Sequence, residues 1–460
     1  MIFIFKYECD SRKIEPGQTF IALKGITHDG HDYINEAISK GASHIICEKD
    51  VDISIPYTKV DDTRMYLNEL LSTEYKDIIN NLKIIGITGT NGKTTSTYLT
   101  YQMLNLLGDK CAYIGTLGYI YKDEVIPLDN TTPDILTIYK LLDYSYNLGI
   151  KYVVMEVSSH SLSMNRLFGI YFDIIAFTNL TIDHLDYHIT MDEYLNSKLL
   201  ILNHLKKDAK IIYNSDDEKG YKFNDSLHNY FTLGFTGNDF NIIDYKLDIN
   251  NINLDFSFKN SISYNINIPL SSSFNIYNYL TMMCIVNNCL YTIDDIINNT
   301  SKLKYPPGRC ETYSVKNGYV IIDYAHTPDA IYKILSSYNK LKKGKIITIF
   351  GCGGNRDKSK RPIMGNIATT LSDYVIITND NPRYENELDI IDDIKRGINK
   401  TNFEVITNRS AAIKKGIEKL ENGDILLVLG KGHEEYQIIE DKRYHFSDKE
   451  EVFNYLKREK

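Results

Sequence analysis

Residues 83–95 read Lys-Ile-Ile-Gly-Ile-Thr-Gly-Thr-Asn-Gly-Lys-Thr-Thr, an apolar run that opens into a glycine-rich turn closing on Lys-Thr-Thr. The spacing departs from strict G-x-x-x-x-G-K-[ST], because Ile87 stands where the first glycine belongs. The physically necessary parts are kept. Gly89 and Gly92 let the backbone curl so that successive N–H groups point at phosphate oxygens, Lys93 can reach the β- and γ-phosphates, and Thr94 offers a hydroxyl to Mg²⁺. The competing reading is an ordinary βα turn.

Outward from this loop, apolar runs predict buried strands at Ile84–Ile87, Tyr152–Val157, Asp173–Thr178 and Lys210–Tyr213, with helical stretches between them. Such alternation predicts a parallel sheet covered by helices on both faces. The run at 152–156 ends in Glu156, placed to approach a metal beside a phosphate loop, with helix capping or simple solvation as the alternative. Asn179 and His184 follow the next strand, at the edge where ligands of open α/β sheets collect, and Lys198 falls in a helix further on. Residues 237–270 alternate apolar and polar positions and predict antiparallel strands. Before the loop, Thr19–Leu23, a helix near Asp32–Lys40 and His44–Cys47 predict a small α/β unit. After it, Tyr305-Pro-Pro-Gly-Arg309 predicts a linker, and strands at Val320–Ile322, Lys345–Phe350, Tyr374–Thr378 and Ile425–Leu429 predict a further α/β unit. The expected domains are therefore 1–81, 82–305 and 306–460.

Bulk properties narrow the class. The chain has 460 residues, 43% hydrophobic and 24% charged, as in globular proteins. A net charge of −8 without a Lys/Arg block disfavours a nucleic-acid partner. No apolar run reaches the roughly 20 residues that a bilayer span needs, and Met1–Phe5 is too short for a signal segment, so a cytoplasmic protein with no membrane insertion is expected. Seven scattered cysteines without C-x-x-C spacing imply neither a zinc site nor a disulfide framework.

Further motifs recur in a fixed order: Glu-Val-Ser-Ser-His (156–160), Thr-Asn-Leu-Thr-Ile-Asp-His-Leu-Asp (178–186), Pro-Pro-Gly-Arg (306–309), Asp-Tyr-Ala-His-Thr-Pro-Asp (323–329), Gly-Cys-Gly-Gly-Asn-Arg-Asp (351–357), Asp-Asn-Pro-Arg (380–383) and Gly-Lys-Gly-His-Glu (430–434). Together with the loop, over nearly the whole chain, these resemble the Mur ligases of peptidoglycan synthesis, in the MurE-type branch that adds the third residue of the stem peptide. The resemblance implies a three-domain α/β fold: an N-terminal UDP-binding domain, a central parallel-sheet P-loop ATPase and a Rossmann-like C-terminal domain carrying the incoming amino acid. It implies an ADP-forming amide ligase that activates UDP-N-acetylmuramoyl-L-alanyl-D-glutamate as an acyl phosphate, and a monomer.

By the same resemblance, Lys93, Glu156, His184 and Lys198 are expected to be catalytic. Gly89, Thr90, Asn91, Gly92, Lys93, Thr94, Thr95, Asn179 and His326 are expected around ATP, and Thr94, Glu156, His184 and a carbamylated Lys198 around Mg²⁺. Ser11, Arg12, Ile26, Thr27 and His28 resemble uridine-binding segments, and Asn130, Thr131, Thr132, Ser158 and Arg166 those holding the muramoyl dipeptide. Met164 stands where some relatives carry Gln.

Specificity is read from Asp380, Asn381, Pro382 and Arg383. Meso-diaminopimelate ends in a second carboxylate that lysine lacks, and an arginine fork suits a carboxylate. Arg383 and Arg356 are expected on the carboxylates, with Glu434 and the Gly430 backbone on the distal ammonium. Lysine or another diamino acid as acceptor, a related amide ligase such as folylpolyglutamate synthetase, and a non-catalytic scaffold remain the alternatives.

Overall fold

Residues 5–25, 28–224, 227–315 and 317–458 are described by the structure, a computed structural model. They group into two compact units: residues 1–86, 108–175 and 200–209 form one, and residues 87–107, 176–199 and 210–460 the other.

In the first unit, strands Tyr7–Glu8, Thr19–Ile21, His44–Cys47 and Tyr57–Lys59 form a four-stranded parallel sheet. Helix Ile34–Ser39, entered through the 3₁₀ turn Gly30–Tyr33, lies where the sequence predicts it. Phe20, Ala22, Ile34, Ala37 and Ile45 make its core. The strand Tyr152–Glu156 runs parallel to Cys111–Gly115, which turns back through Gly118–Tyr121 and Glu124–Ile126 as an antiparallel meander that the sequence reading does not contain.

In the second unit, Asn229–Gly234 pairs parallel with residues 210–214, and Phe240–Leu247, Ile252–Phe258 and Ile262–Ile268 form the expected antiparallel excursion. Beyond the linker, a six-stranded sheet runs in the order Glu311–Val315, Gly318–Asp323, Asp424–Leu429, Ile346–Phe350, Tyr374–Ile377, Phe403–Val405. Only its first pair is antiparallel. The two strands Ile346–Phe350 and Asp424–Leu429 are buried throughout, which is why they read as unbroken apolar runs. Side-chain caps start the surrounding helices: Thr327 before Pro328–Asn339, Asn386 before Glu387–Lys395 and Asn408 before Arg409–Glu418.

One buried ion pair ties this sheet's loops together. Arg409 Nε and Nη2 each donate to Asp448 at 2.7 Å, both side chains fully buried, and the same guanidinium donates to the carbonyls of Asn379 and Leu429. Those carbonyls lead into the Asp380 and Gly430 segments. Removing one partner leaves a buried charge uncompensated, a loss of about 3 kcal/mol or more. Asp448→Ala is therefore expected to destabilise the C-terminal sheet by that amount in urea unfolding; a shift under about 0.5 kcal/mol, typical of a surface substitution, would contradict this reading.

Candidate functional site

The strand Lys83–Thr88 delivers the chain to Gly89, and the helix Lys93–Leu106 leaves from Gly92. Both glycines are required by space and dihedral. Gly89 sits at φ +142° with Thr178 Oγ1 only 1.9 Å from where a Cβ would lie, and Gly92 sits at φ +87° with Asn278 Oδ1 at 2.3 Å. The turn is braced from the segment after the next strand. Asn91 N donates to Asn179 Oδ1 at 3.0 Å, Asn179 Nδ2 and Thr178 Oγ1 donate to Asn91 O at 3.0 and 2.7 Å, and Thr90 N donates to Asn179 O at 2.8 Å. Asn179, expected beside the nucleotide, is thus first a loop clamp. Lys93 Nζ lies folded on the loop, donating to the carbonyls of Gly89 and Thr90 at 2.8 Å each. Thr94 and Thr95 are buried in the first helical turn.

Lys198 belongs to this loop. Its helix, Met191–Leu199, buries the side chain to 1% exposure and sets Nζ 2.9 Å from the Gly89 carbonyl, over the Tyr194 ring at 4.4 Å. Burial, reinforced by the charge of Lys93 and only partly offset by Asp183, pushes its pKa well below that of an ordinary lysine. His184, at φ +54°, lies with Nε2 3.4 Å from Asp183 Oδ2. Desolvation, with Lys93, Lys198 and His326 close by, lowers its pKa to about 4, so the imidazole is neutral at physiological pH. His326 donates from Nδ1 to the Tyr324 carbonyl at 2.7 Å, and burial lowers its pKa too. A neutral imidazole can serve as a metal ligand or a base.

Sequence reasoning gave no role to Arg309, although it quoted the Pro-Pro-Gly-Arg motif. Arg309 Nη2 donates to Thr94 Oγ1 at 3.2 Å, the guanidinium lies over the Tyr324 ring at 4.5 Å, and among the described residues its buried Nε has no hydrogen-bond partner. A partly buried cation with a buried, unused donor beside the loop helix suits an anion. Asp329, in the motif from which only His326 was singled out, accepts from Asn91 Nδ2 at 2.8 Å.

In the first unit, Glu156 ends its strand fully buried. Its Oε1 accepts from Tyr113 Oη at 2.5 Å and from Thr116 N at 2.9 Å, and Thr116 Oγ1 donates to Oε2 at 3.3 Å. Thr132 Oγ1 donates to the Glu156 carbonyl and accepts from Ser158 N, while Arg166 Nη1 donates to Thr132 O at 2.9 Å. Thr131 reaches Thr116 at 3.1 Å. Thr131, Thr132, Ser158 and Arg166 therefore form one cluster around the end of this strand, with Asn130 exposed at its border. Ser11 donates to Glu36 at 2.7 Å, and Arg12 forks onto Asp10, whose carboxyl it holds below the usual range. His28 is exposed with its ring edge toward Tyr33; Ile26 and Thr27 lie outside the described residues.

The amino-acid candidates converge in the second unit. Arg383 adopts φ +51° and its Nη1 donates to the Gly354 carbonyl at 2.8 Å. Burial and the charge of Arg356 both act against its cation, a cost that a bound carboxylate would relieve. Asn381 donates to Glu434 Oε2 at 2.9 Å, Asp380 accepts at its carbonyl from Gln437 at 2.7 Å, and Pro382 is buried between them. Gly430, at φ +112°, lies where a Cβ would meet Asp380 Oδ2 at 2.8 Å.

Among the described residues no three His, Cys, Asp or Glu side chains converge as a preformed metal cluster. The Thr94 hydroxyl suits a hard divalent ion that takes its remaining ligands from phosphate oxygens and water, whereas an ammonium at Lys198 would repel it. Gly89→Ala is expected to weaken ATP binding by at least about 100-fold, since the loop must open to seat the Cβ, while circular dichroism stays native. Unaltered binding of a fluorescent ATP analogue would contradict the loop's assignment.

Comparison with known proteins agrees with this geometry. The family models Mur ligase family, catalytic domain, Mur ligase middle domain, and Mur ligase, glutamate ligase domain match residues 6–80, 87–286 and 308–432. The chain is 40% identical over 456 residues to a Clostridium acetobutylicum protein named UDP-N-acetylmuramoyl-L-alanyl-D-glutamate--2,6-diaminopimelate ligase 1, covering 97% of this chain and 94% of that one. It is 42% identical over 459 residues to a Fusobacterium nucleatum protein named as the same ligase, covering 96% and 92%. A solved structure of a ligase of that name is 30% identical with a TM-score of 0.68, covering 98% and 94%. The Thermotoga maritima MurF ligase in complex with ADP, 19% identical with a TM-score of 0.74 over 99% and 97%, shares the fold. The chain belongs to the Mur ligase family.

Proposed function

We propose that this protein joins meso-2,6-diaminopimelate to UDP-N-acetylmuramoyl-L-alanyl-D-glutamate at the expense of ATP. The observation that carries the acceptor is the Arg383 pocket, where a half-buried guanidinium beside Arg356 stands against Glu434 and Asn381, giving cationic and anionic ends to one diamino diacid. The names of the full-length relatives support the same substrate pair. Lysine carries only one carboxylate and leaves one of the two arginines, Arg383 and Arg356, without an anion.

The chemistry assigns each residue a task. Amide formation from a free carboxylate is uphill in water, so the substrate carboxylate oxygen attacks the γ-phosphorus, the bond to the β-phosphate oxygen breaks, and ADP leaves. The amine nitrogen then attacks the acyl carbon, phosphate departs with the former carboxylate oxygen, and the amine loses its proton. Lys93 swings from the Gly89 and Thr90 carbonyls onto the phosphates, and Arg309 supplies its spare Nε–H to the same anion. Mg²⁺, when bound, neutralises phosphate charge. The metal roles of Thr94, His184, Lys198 as its carbamate, and Glu156 rest on motif and donor chemistry. A carbamate forms when the neutral amine attacks CO₂ (R–NH₂ + CO₂ → R–NH–COO⁻ + H⁺), and the depressed pKa of Lys198 favours that amine. Ser11, Arg12, Ile26, Thr27 and His28 are assigned to the uridine, and Asn130, Thr131, Thr132, Ser158 and Arg166 to the dipeptide.

The three matched stretches support domains at 1–81, 82–305 and 306–460. Among the described residues no helix is long and apolar enough to cross a membrane. With substrates of this kind, a cytoplasmic monomer is the proposed working form.

Phosphate release measured with the UDP-dipeptide and a panel of amino acids tests reaction and acceptor together. Diaminopimelate is expected to drive turnover, and a preference for lysine would overturn the acceptor. Arg383→Ala is expected to abolish diaminopimelate addition while ATP binding persists; unchanged turnover would refute its role. For Lys198, protein equilibrated with ¹³C-bicarbonate should show a carbamate carbon by NMR that Lys198→Arg lacks. Identical spectra would remove the carbamate.

A further inference from the structure

Glu434 does not stand alone in the amino-acid pocket. Lys431, three residues earlier, is fully buried, and its Nζ donates to Glu434 Oε2 at 3.0 Å and to Asn381 Oδ1 at 3.1 Å. Asn381 closes the ring: its Nδ2 donates to Glu434 Oε2 at 2.9 Å and its Oδ1 also accepts from Ile438 N at 2.9 Å. The backbone beneath is fixed as well. Glu434 N donates to the Lys431 carbonyl at 2.9 Å, and Gly432, at φ +54°, lies where a Cβ would strike Gly308 O at 2.7 Å and Tyr324 Cβ at 2.8 Å.

We propose that Lys431 is a positioning residue of the diamino-acid pocket: its buried Nζ fixes the Glu434 carboxylate and the Asn381 amide as one triad that faces the incoming ammonium. This rests on the reading that Glu434 receives the distal ammonium of the acceptor. The other charged or titratable groups around Glu434 are Arg383, Arg409, Asp380, Tyr324 and Tyr436, with Tyr324 Oη donating to Oε1 at 3.4 Å. Unlike Arg383 and Arg409, Lys431 is in direct hydrogen-bonded contact with the carboxylate. A free Glu434 side chain would sample several rotamers, and ordering it on binding would cost conformational entropy. The triad orders it beforehand.

The test compares Lys431→Met, Lys431→Gln, Glu434→Gln and the double variant Lys431→Met/Glu434→Gln in the full-length enzyme. Glu434→Gln reports on the underlying reading: an unchanged KM for diaminopimelate would remove Glu434 from the ammonium and the proposal with it. With that KM raised, Lys431→Met is expected to raise KM for diaminopimelate about tenfold, the scale of a lost charged hydrogen bond, with kcat and KM for ATP within about twofold. Lys431→Gln, which keeps a donor for Asn381 but no charge, should raise the same KM, and it serves where the Met variant does not fold. The double variant should be no worse than Glu434→Gln, as coupled neighbours are not additive. If Glu434→Gln raises KM while the Lys431 variants leave it unchanged, or if kcat, ATP affinity and melting temperature fall together, the positioning role is overturned.

Discussion

The structure turns on one buried amine. Lys198 is held at 1% exposure with its nitrogen on the carbonyl of Gly89, the first residue of the phosphate turn, and in the same neighbourhood as Lys93. Two amines that close, out of water, repel each other when charged and lose hydration. Lys93 Nζ rests on two loop carbonyls, and burial and the charge of Lys93 together push the Lys198 pKa well below that of an ordinary lysine. A buried amine whose charged form is disfavoured, set against the glycine-rich turn, is an unusual object.

The same second unit carries a physical line from the loop to the amino-acid pocket. Thr94 accepts from Arg309, Arg309 stacks on Tyr324, and Tyr324 donates to Glu434. Each link is weak alone: a long hydrogen bond, a cation over a ring, another long hydrogen bond. Together they place the linker Pro306–Arg309 and the Asp323–Asp329 segment between phosphate chemistry and acceptor recognition. The glycines at 308 and 432 are needed because the two segments pass within backbone contact, a Cβ on Gly308 falling 2.0 Å from His433 N.

Much of this was legible in the sequence, for identifiable reasons. The phosphate loop announces itself because glycine, lysine and threonine must occupy fixed offsets between strand and helix, and the structure puts that strand and helix at 83–88 and 93–106. Arg383 stands out through its motif, and the structure places its guanidinium half-buried on the Gly354 carbonyl. The meander 111–126 was not legible, since its first two strands are buried throughout and show no alternation, and its third is only three residues long. Contacts between distant segments escaped too: Arg309 with Thr94 spans 215 residues and Asn91 with Asp329 spans 238. Lys431 was hidden by its type. A lysine between glycines reads as solvated until burial shows it facing a carboxylate inside the fold.

The central claim is that a substrate carboxylate and the γ-phosphate are brought together long enough to exchange an oxygen. The most direct measurement labels the D-glutamyl side-chain carboxylate of the UDP-dipeptide with ¹⁸O and follows the phosphate released with ATP and diaminopimelate. An acyl phosphate route predicts one labelled oxygen in each phosphate formed, in step with ligation. Unlabelled phosphate accompanying full amide formation would contradict the account.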